Sequence, residues 1–390
     1  MPLADVRIED DDLAAICATY RSGWLTMGPR TTALEELFAR YTGADDAVAV
    51  SSGTAALHLI CRAVGMGPGD EVIVPSLTFV ATANAVAYTG AQPVFADVSG
   101  LAEPWLSAAS CESLVTPRTT AILAMAYGGH CGEIDALRDL CERRGLLLLE
   151  DAAHAAGSRL RGRHLGTFGT AGAFSLYSNK NLAVGEGGLV VTSDAAVAGT
   201  VRLLRSHGMT TPTWDRHQNH ASGYDVVALG FNYRLDEPRA ALAAVRLARL
   251  DRENDRRAQL AARYRTALAD LADLDVTIPL ASVPGLRSSH HLFTIVLPEG
   301  RSRAAFRTRL AEHGVETSIH YPAVHRFRLY AGGVRDPLPV TDAYAARSVT
   351  LPLYPHMTED QQDRVVEAVR GALAVAPTRG RGRARGPGPG

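Results

Sequence analysis

One stretch of the 390-residue chain reads Ser175-Leu176-Tyr177-Ser178-Asn179-Lys180-Asn181-Leu182-Ala183-Val184-Gly185-Glu186-Gly187-Gly188, and it holds the only lysine of the sequence. Every other member of the 40 Lys+Arg residues is an arginine. Arginine stays protonated and is no nucleophile, whereas a lysine desolvated in a pocket can lose its proton and form an imine with a carbonyl compound. A GC-rich genome would explain why lysine is scarce, but it does not explain this polar, glycine-rich location. The stretch therefore predicts a Schiff-base lysine.

Short β-branched runs alternate with helical stretches on both sides of this segment. Strands are predicted at residues 47–50, 71–74, 93–95, 121–124, 146–149 and 187–192, with helices at 54–63, 79–88 and 134–144. Continuous apolar strands are typical of parallel sheets covered on both faces. The pattern predicts an α/β fold with a large, mostly parallel sheet.

The second half of the chain predicts a smaller α+β domain. One long helix at 238–268 leads into it, followed by a strand at 293–297 and helices at 303–313 and 358–373. We expect a large domain over 1–245 that includes the N-terminal segment, and a small domain over 246–377. Residues 378–390 are rich in Arg, Gly and Pro, which cannot build a core, so a disordered tail is expected there.

Composition narrows the class of protein. A net charge of -1 offers no field that would recruit nucleic acid or an anionic membrane. No apolar run approaches membrane-spanning length, and the acidic first twelve residues lack the apolar segment of a secretory signal. Five irregularly spaced cysteines without a CxxC pair argue against disulfides and zinc. A cytoplasmic protein with no metal, nucleic-acid or membrane partner is expected.

An imine on a lysine is useful only with an electron sink, and the natural sink is pyridoxal 5'-phosphate. Asp151 ends an apolar strand at the edge where ligands bind in open α/β sheets, and it would keep the ring nitrogen protonated. Gly53 and Thr54 open a helix whose first N–H groups and dipole would bind phosphate. Phe79 begins the next helix and could cover the ring face. Taken singly, Asp151 could be a helix cap, Ser-Gly-Thr an ordinary capping sequence and Phe79 a core aromatic.

The residues together resemble the DegT/DnrJ/StrS type of nucleotide-sugar aminotransferases, of the fold-type-I pyridoxal phosphate class. The resemblance covers roughly residues 25–366, nearly the whole chain. Its motifs are the segments 23–29, 52–58, 75–79, 150–155, 179–181 with 185–188, and 230–234. It implies a large domain built on a seven-stranded type of sheet, a smaller C-terminal domain, and a homodimer.

The resemblance also implies roles for individual residues. Lys180 would carry the cofactor as a Schiff base, Asp151 would pair with the ring nitrogen, and Phe79 would stack on the ring. The residues implied around the phosphate are Gly53, Thr54, Ala55, Ser175 and, from the partner subunit, Asn232. His154 would be catalytic, beside the ring hydroxyl and the incoming sugar, where many relatives have glutamine. The residues implied on the substrate side are Thr26, Gly28, His320, Tyr321 and His325.

The implied reaction moves the amino group of L-glutamate to a keto group of a nucleotide-linked deoxysugar, as in the biosynthesis of antibiotic or envelope sugars. His154 favours C4, since relatives that act at C4 often have histidine there. Amination at C3 or of a keto-inositol remains open, as does a non-catalytic regulator that binds the cofactor. Residues 177–179 depart from the family pattern, in which histidine and proline or threonine are common, and this departure bears on the sugar pocket.

Overall fold

The Lys180 stretch connects two neighbouring strands of a seven-stranded sheet in the computed structural model, which describes residues 1–211, 214, 223–332 and 335–374. The sheet order is β1-β9-β8-β5-β4-β2-β3. Its strands are β1 (Asp46–Val50), β2 (Glu71–Pro75), β3 (Gln92–Ala96), β4 (Thr119–Met125), β5 (Leu147–Asp151), β8 (Ala171–Ser175) and β9 (Gly188–Thr192). Only β9 within this sheet runs antiparallel to its neighbours. The predicted large, mostly parallel sheet is confirmed.

The parallel strands end at one edge of the sheet. Asp151 is the last residue of β5 and Ser175 the last of β8, while Gly53 follows β1 by three residues and Phe79 follows β2 by four. The strands themselves are almost wholly buried, as β2 and β8 show at all five positions. Because the parallel strands all end at the same edge, four chain segments that are distant in sequence lie together there. Ligands usually bind at this edge in such sheets.

Helices cover both faces of this sheet. Those of the first 247 residues are α1 (Asp10–Arg21), α2 (Pro29–Thr42), α3 (Gly53–Ala63), α4 (Ala81–Ala87), α5 (Ala108–Leu114), α6 (Ile134–Arg144), α7 (Ala195–Leu204) and α8 (Glu237–Leu247). The core on one face includes Phe38, Phe174 and Leu247, and the core on the other includes Leu59, Phe95 and Val201. A small three-stranded sheet joins β6 (Arg159–Leu160), β7 (Arg163–His164) and β10 (Leu286–Arg287), and the sequence pattern did not predict it.

A separate core forms in the last third of the chain. The strands β11 (Phe293–Val296) and β12 (Ser348–Leu351) pair antiparallel. The helices of this part of the chain are α9 (Leu250–Ala267), α10 (Arg303–Glu312), α11 (Pro339–Arg347) and α12 (Glu359–Ala374). Tyr264, Phe306 and Val369 are fully buried in this core. The boundary at 245/246 stays a prediction, and the predicted tail at 378–390 lies outside the described residues.

The single long helix expected at 238–268 is wrong, because α8 ends at Leu247 and α9 begins at Leu250. The N–H groups of Ala248 and Arg249 donate to carbonyls three residues earlier, so the chain makes a tighter turn there. The side chains of Arg246 and Arg249 converge on the buried carboxylate of Asp12 in α1, at 2.7 to 2.8 Å. A buried carboxylate needs such partners, and the helix break places both guanidinium groups around it. Among the described helices, none combines the length and apolar character that a bilayer span requires.

Candidate active site

A cavity of about 660 Å³ opens at the carboxyl edge of the parallel strands. Nine of the residues that the sequence singled out line it: Gly53, Thr54, Phe79, Asp151, His154, Ser175, Lys180, His320 and Tyr321. They come from chain segments up to 268 residues apart, and the sheet edge together with the segment between Glu312 and Pro339 brings them into one space. The predicted constellation is therefore assembled within a single chain.

Lys180 reaches this cavity from the loop between β8 and β9. Its backbone N–H donates to the carbonyl of Tyr177 at 2.8 Å, which holds the loop in a tight turn. Burial lowers the pKa of its amine to about 8, while the nearby carboxylate of Asp151 acts in the opposite direction. Within the described part of the chain, the amine has neither a hydrogen-bond partner nor an ion-pair partner. Near neutral pH the amine is therefore partly unprotonated and free to react.

Asp151 is 3% exposed, and both of its carboxylate oxygens accept hydrogen bonds. Thr82 donates to Oδ2 at 2.7 Å, and the N–H of Ala153 donates to Oδ1 at 3.1 Å. Burial raises the pKa of this carboxyl, whereas the two hydrogen bonds and Lys180 lower it. A buried carboxylate is stabilised by a cation close by, so the site favours a positively charged partner such as a protonated ring nitrogen.

The start of α3 forms a concave backbone surface beside Ser175. A Cβ on Gly53 would lie 2.8 Å from Cβ of Ser175, and a Cβ on Gly188 would lie 2.3 Å from the carbonyl oxygen of Ser52. Only glycine permits such close approach. The first N–H groups of a helix have no partner inside it and favour an anion. The cradle therefore has the shape and polarity that a phosphate group requires.

Ala55, which the resemblance implies at the phosphate, does not line this cavity. Its backbone N–H donates to the side chain of Ser52 at 3.0 Å, so this donor caps the helix. Ala55 lines a smaller neighbouring recess together with His58 and Tyr233. In this structure, the donors left at the helix start are those of Gly53 and Thr54.

His154 and Tyr321 form a hydrogen-bonded pair on the wall of the cavity. The N–H of Gly128 donates to Nδ1 of His154 at 3.3 Å, so Nε2 carries the proton and donates to the hydroxyl of Tyr321 at 2.8 Å. Burial, followed by the charge of Lys180, holds the pKa of His154 well below its ordinary value. The imidazole is neutral, and the hydroxyl hydrogen of Tyr321 remains available to another acceptor.

Two further imidazoles lie next to His154. The ring of His291 is 4.2 Å from that of His154 between centroids, and the ring of His320 is 6.5 Å away. Burial lowers the pKa of His320 to about 4 and holds the pKa of His291 well below the ordinary range, with Lys180 as the next cause in both. The three imidazoles near Lys180 are therefore polar but uncharged.

The donor set fits pyridoxal phosphate. Phe79 is 53% exposed and lines the cavity, so its ring is not packed in a core. The cavity offers this aromatic ring, a buried carboxylate at Asp151, a backbone cradle at Gly53 and an unpaired amine at Lys180. These are the four features that bind the ring, its nitrogen, its phosphate and its aldehyde carbon.

Besides Ala55, four predicted residues do not line the cavity of the single chain. The backbone N–H of Gly28 donates to the buried carboxylate of Glu237 at 2.9 Å, which holds the segment around it against α8. Thr26 and Asn232 are exposed to solvent. The ring of His325 is fixed by Ser76 Oγ at 2.7 Å and by Asp342 at 3.2 Å, so this residue ties two chain segments together beside the site.

The sequence reasoning missed several residues of the site. Thr82 holds Asp151, and its own hydroxyl lies 2.6 Å from that of Thr78. Its position in the first turn of α4, just after the segment of Phe79, was the signal that could have found it. Asn179 and Glu186 also line the cavity. His291 had no such signal, because only the fold brings it next to His154.

The fold and this site define a pyridoxal phosphate-dependent aminotransferase. Residues 6–370 match the model of the DegT/DnrJ/EryC1/StrS aminotransferase family, and the chain belongs to that family, whose relatives are sugar aminotransferases. The spore coat polysaccharide biosynthesis protein SpsC of Bacillus subtilis (strain 168) is 39% identical over 380 residues, which is 95% of this chain and 96% of SpsC.

Solved structures show the same architecture. DesV of S. venezuelae, determined in complex with a ketimine intermediate, is 39% identical with a TM-score of 0.85, over 94% of this chain and 95% of DesV. The aminotransferase TlmJ of Streptoalloteichus hindustanus is 33% identical with a TM-score of 0.89, over 96% of this chain and 99% of TlmJ. Neighbours of this fold have been solved in both pyridoxal and pyridoxamine phosphate forms.

Proposed function

We propose that this chain transfers the amino group of L-glutamate to a keto group of a nucleotide-linked deoxysugar, with C4 as the aminated carbon. The observation that carries the proposal is the single lysine: Lys180 is buried, has no partner among the described residues, and shares its cavity with Asp151. Membership of a sugar aminotransferase family supports the sugar, and His154 favours C4. The name of SpsC refers to polysaccharide biosynthesis, which fits amino-sugar formation.

Lys180 would act as the proton carrier of the reaction. When bound, pyridoxal phosphate supplies an electron sink for the carbon that loses its proton. With a pKa of about 8, roughly a quarter of the Lys180 amines are unprotonated at pH 7.5. Nζ of Lys180 takes the proton from the α-carbon of glutamate, and in the second stage the ammonium returns a proton to the sugar carbon. Proton transfer by a positioned group contributes about 10²–10⁴ in rate.

The surrounding residues would orient the reactants and hold charge. Asp151 keeps the ring nitrogen protonated, and the N–H groups of Gly53 and Thr54 bind the phosphate. Tyr321, whose hydroxyl oxygen accepts from His154, directs its own hydrogen towards a ring or sugar oxygen. Because the imidazoles near Lys180 are neutral, they do not repel the ammonium that forms on it.

Asn232 would complete the phosphate site of a second subunit. It is exposed and does not line the cavity of its own chain, although its backbone pairs with Ser206. An amide that serves a neighbouring site would have to lie at such a surface position. We therefore propose a homodimer with two sites across its two-fold interface. The five free cysteines support a reduced, cytoplasmic location.

The test is incubation of the purified holoenzyme with glutamate and a panel of nucleotide-linked keto-sugars, with NMR to locate the new amine. An amine at C4 of a nucleotide-linked sugar is the expected result. An amine at C3, or on a keto-inositol, would replace the substrate part of the proposal. Absorbance near 400 nm distinguishes a non-catalytic regulator, whose cofactor spectrum would not respond to glutamate.

A further inference from the structure

A second cavity borders the segment that carries Lys180. It has a volume of about 350 Å³ and is bounded by residues 4–7 and Glu9, by the first turns of α9, and by Pro355 and His356. Lys180 and Asn179 line both cavities, so the two spaces meet at the reacting lysine. His356 and Asp5 lie 2.8 Å apart on its wall and join the N-terminal segment to the last third of the chain.

Arg257 is the most unusual residue of this cavity. Its side chain is 6% exposed, and NH1 donates to the carbonyl oxygen of Leu353 at 2.9 Å. Its Nε is buried without an acceptor, and among the described residues no carboxylate lies within ion-pair distance of this guanidinium. A buried charge without a counter-charge is costly. An anionic ligand in the cavity would relieve that cost.

Two more arginines of α9 line the same wall, and neither has a carboxylate partner among the described residues. Within the described ranges, Arg252 makes no polar contact and Arg256 donates only to Gln259 and to the carbonyl of Met357. Residues 252 and 256 are four apart and therefore lie on the same side of α9, and residue 257 is the next residue along the helix.

The acidic residues around this cavity are already engaged. Asp5 pairs with His356, while Glu9 and Glu253 both pair with Arg249. The amide oxygen of Asn179 is also buried without a partner among the described residues. The cavity therefore carries an excess of unpaired positive charge and an unused amide next to Lys180.

We propose that this cavity binds the carboxylates of the dicarboxylate amino donor and of its keto-acid product, an inference that rests on the proposed function. The amine of the donor would have to reach the cofactor carbon that Lys180 holds, and a cavity that borders this lysine can hold the negatively charged end of the donor away from Asp151. Guanidinium groups bind carboxylates through paired hydrogen bonds. A molecule of about ten non-hydrogen atoms, such as 2-oxoglutarate, fits a pocket of this size.

The test measures binding of 2-oxoglutarate to the pyridoxal form of the holoenzyme by calorimetry, because this keto acid cannot react there. We expect Arg257→Met to weaken binding about 10- to 100-fold, as loss of a charged hydrogen bond does, and Arg257→Lys to restore part of it. Arg252→Ala and Arg256→Ala should weaken it several-fold at sites where folding is not at risk. Arg263→Ala is the matched control: it lies on the same helix, pairs with Asp363, and should leave binding unchanged.

Inorganic phosphate is the second probe. If phosphate binds more tightly than 2-oxoglutarate, and only phosphate binding falls in the Arg252 and Arg256 variants, the cavity serves a phosphate-bearing ligand and the proposal is overturned. Unchanged 2-oxoglutarate affinity in the Arg252 and Arg256 variants overturns it as well. Separate measurement of the two half-reactions distinguishes failure of this proposal from failure of the proposed function. If glutamate reacts but no keto-sugar is aminated, the sugar substrate is contradicted and the proposed donor site is unaffected.

Discussion

Replacement of Asp151 by asparagine removes a negative charge that faces Lys180 while nearly keeping the shape of the side chain. Thr82 can still donate to the amide oxygen, so the local packing should survive. Burial lowers the pKa of Lys180 to about 8, and the charge of Asp151 opposes that shift. The pKa of Lys180 should therefore fall below 8 in the Asp151→Asn variant.

The size of the effect follows from the two pKa values. At pH 7.5, an ordinary lysine with a pKa of 10.5 is about 0.1% unprotonated, whereas Lys180 at about 8 is roughly 24% unprotonated. Burial thus raises the reactive fraction roughly two hundredfold, and Asp151→Asn should raise it further. The asparagine cannot keep the ring nitrogen protonated, so the variant should bind cofactor yet lose most of its turnover.

Because the chain has a single lysine, the pKa of Lys180 can be measured directly. Reductive methylation with ¹³C-formaldehyde labels Lys180 and the α-amino group of the cofactor-free protein, and NMR follows each signal through a pH titration. Lys180→Arg identifies the lysine signal by its loss. A midpoint near 10.5 in the wild-type chain would refute the burial argument, and an unchanged midpoint in Asp151→Asn would show that the carboxylate does not act on the amine. Near wild-type turnover of the variant would show that Asp151 has only a structural role at the end of β5.

Three other changes test separate parts of the site. Lys180→Arg should abolish turnover, because a guanidinium forms no imine, and borohydride reduction of the wild-type holoenzyme should fix the cofactor to one peptide; labelling elsewhere contradicts the assignment. Gly53→Ala should weaken cofactor affinity by about tenfold or more, because the new Cβ would lie 2.8 Å from Cβ of Ser175, and fluorescence titration would measure it. Mixed Lys180→Ala and Asn232→Ala chains should regain activity at limiting pyridoxal phosphate, because one site of the heterodimer has both residues intact. Loss of the Asn232 amide should cost about 1–3 kcal/mol of cofactor binding. If subunits exchange and each parent is defective, yet activity is not rescued, Asn232 does not act across the interface.

The sequence predicted the sheet well because its strands are buried on both faces and read as continuous apolar runs. The strand predicted at 121–124 ends one residue before the observed end of β4, and the strand predicted at 146–149 begins one residue before the observed start of β5. The break between α8 and α9 was missed because it depends on Asp12, which lies more than 230 residues away. Local periodicity contains no information about such a partner. The strand β8 was missed for a related reason: Ala171, Gly172 and Ala173 have weak strand preference, and the pairing with β5 and β9 determines their conformation.

Some features of the candidate site could likewise be predicted from the sequence, and others could not. Lys180, Asp151 and the start of α3 could be predicted, because each follows or precedes a strand and its chemistry is apparent from residue type. The neutral state of the imidazoles could not, because it arises from burial by distant segments. That burial connects the two findings: the desolvation that lowers the pKa of Lys180 to about 8 also lowers the pKa of His320 to about 4. The same burial therefore keeps the lysine reactive and the neighbouring histidines uncharged, and a single substitution that admits water should raise the pKa of Lys180 and that of His320 together.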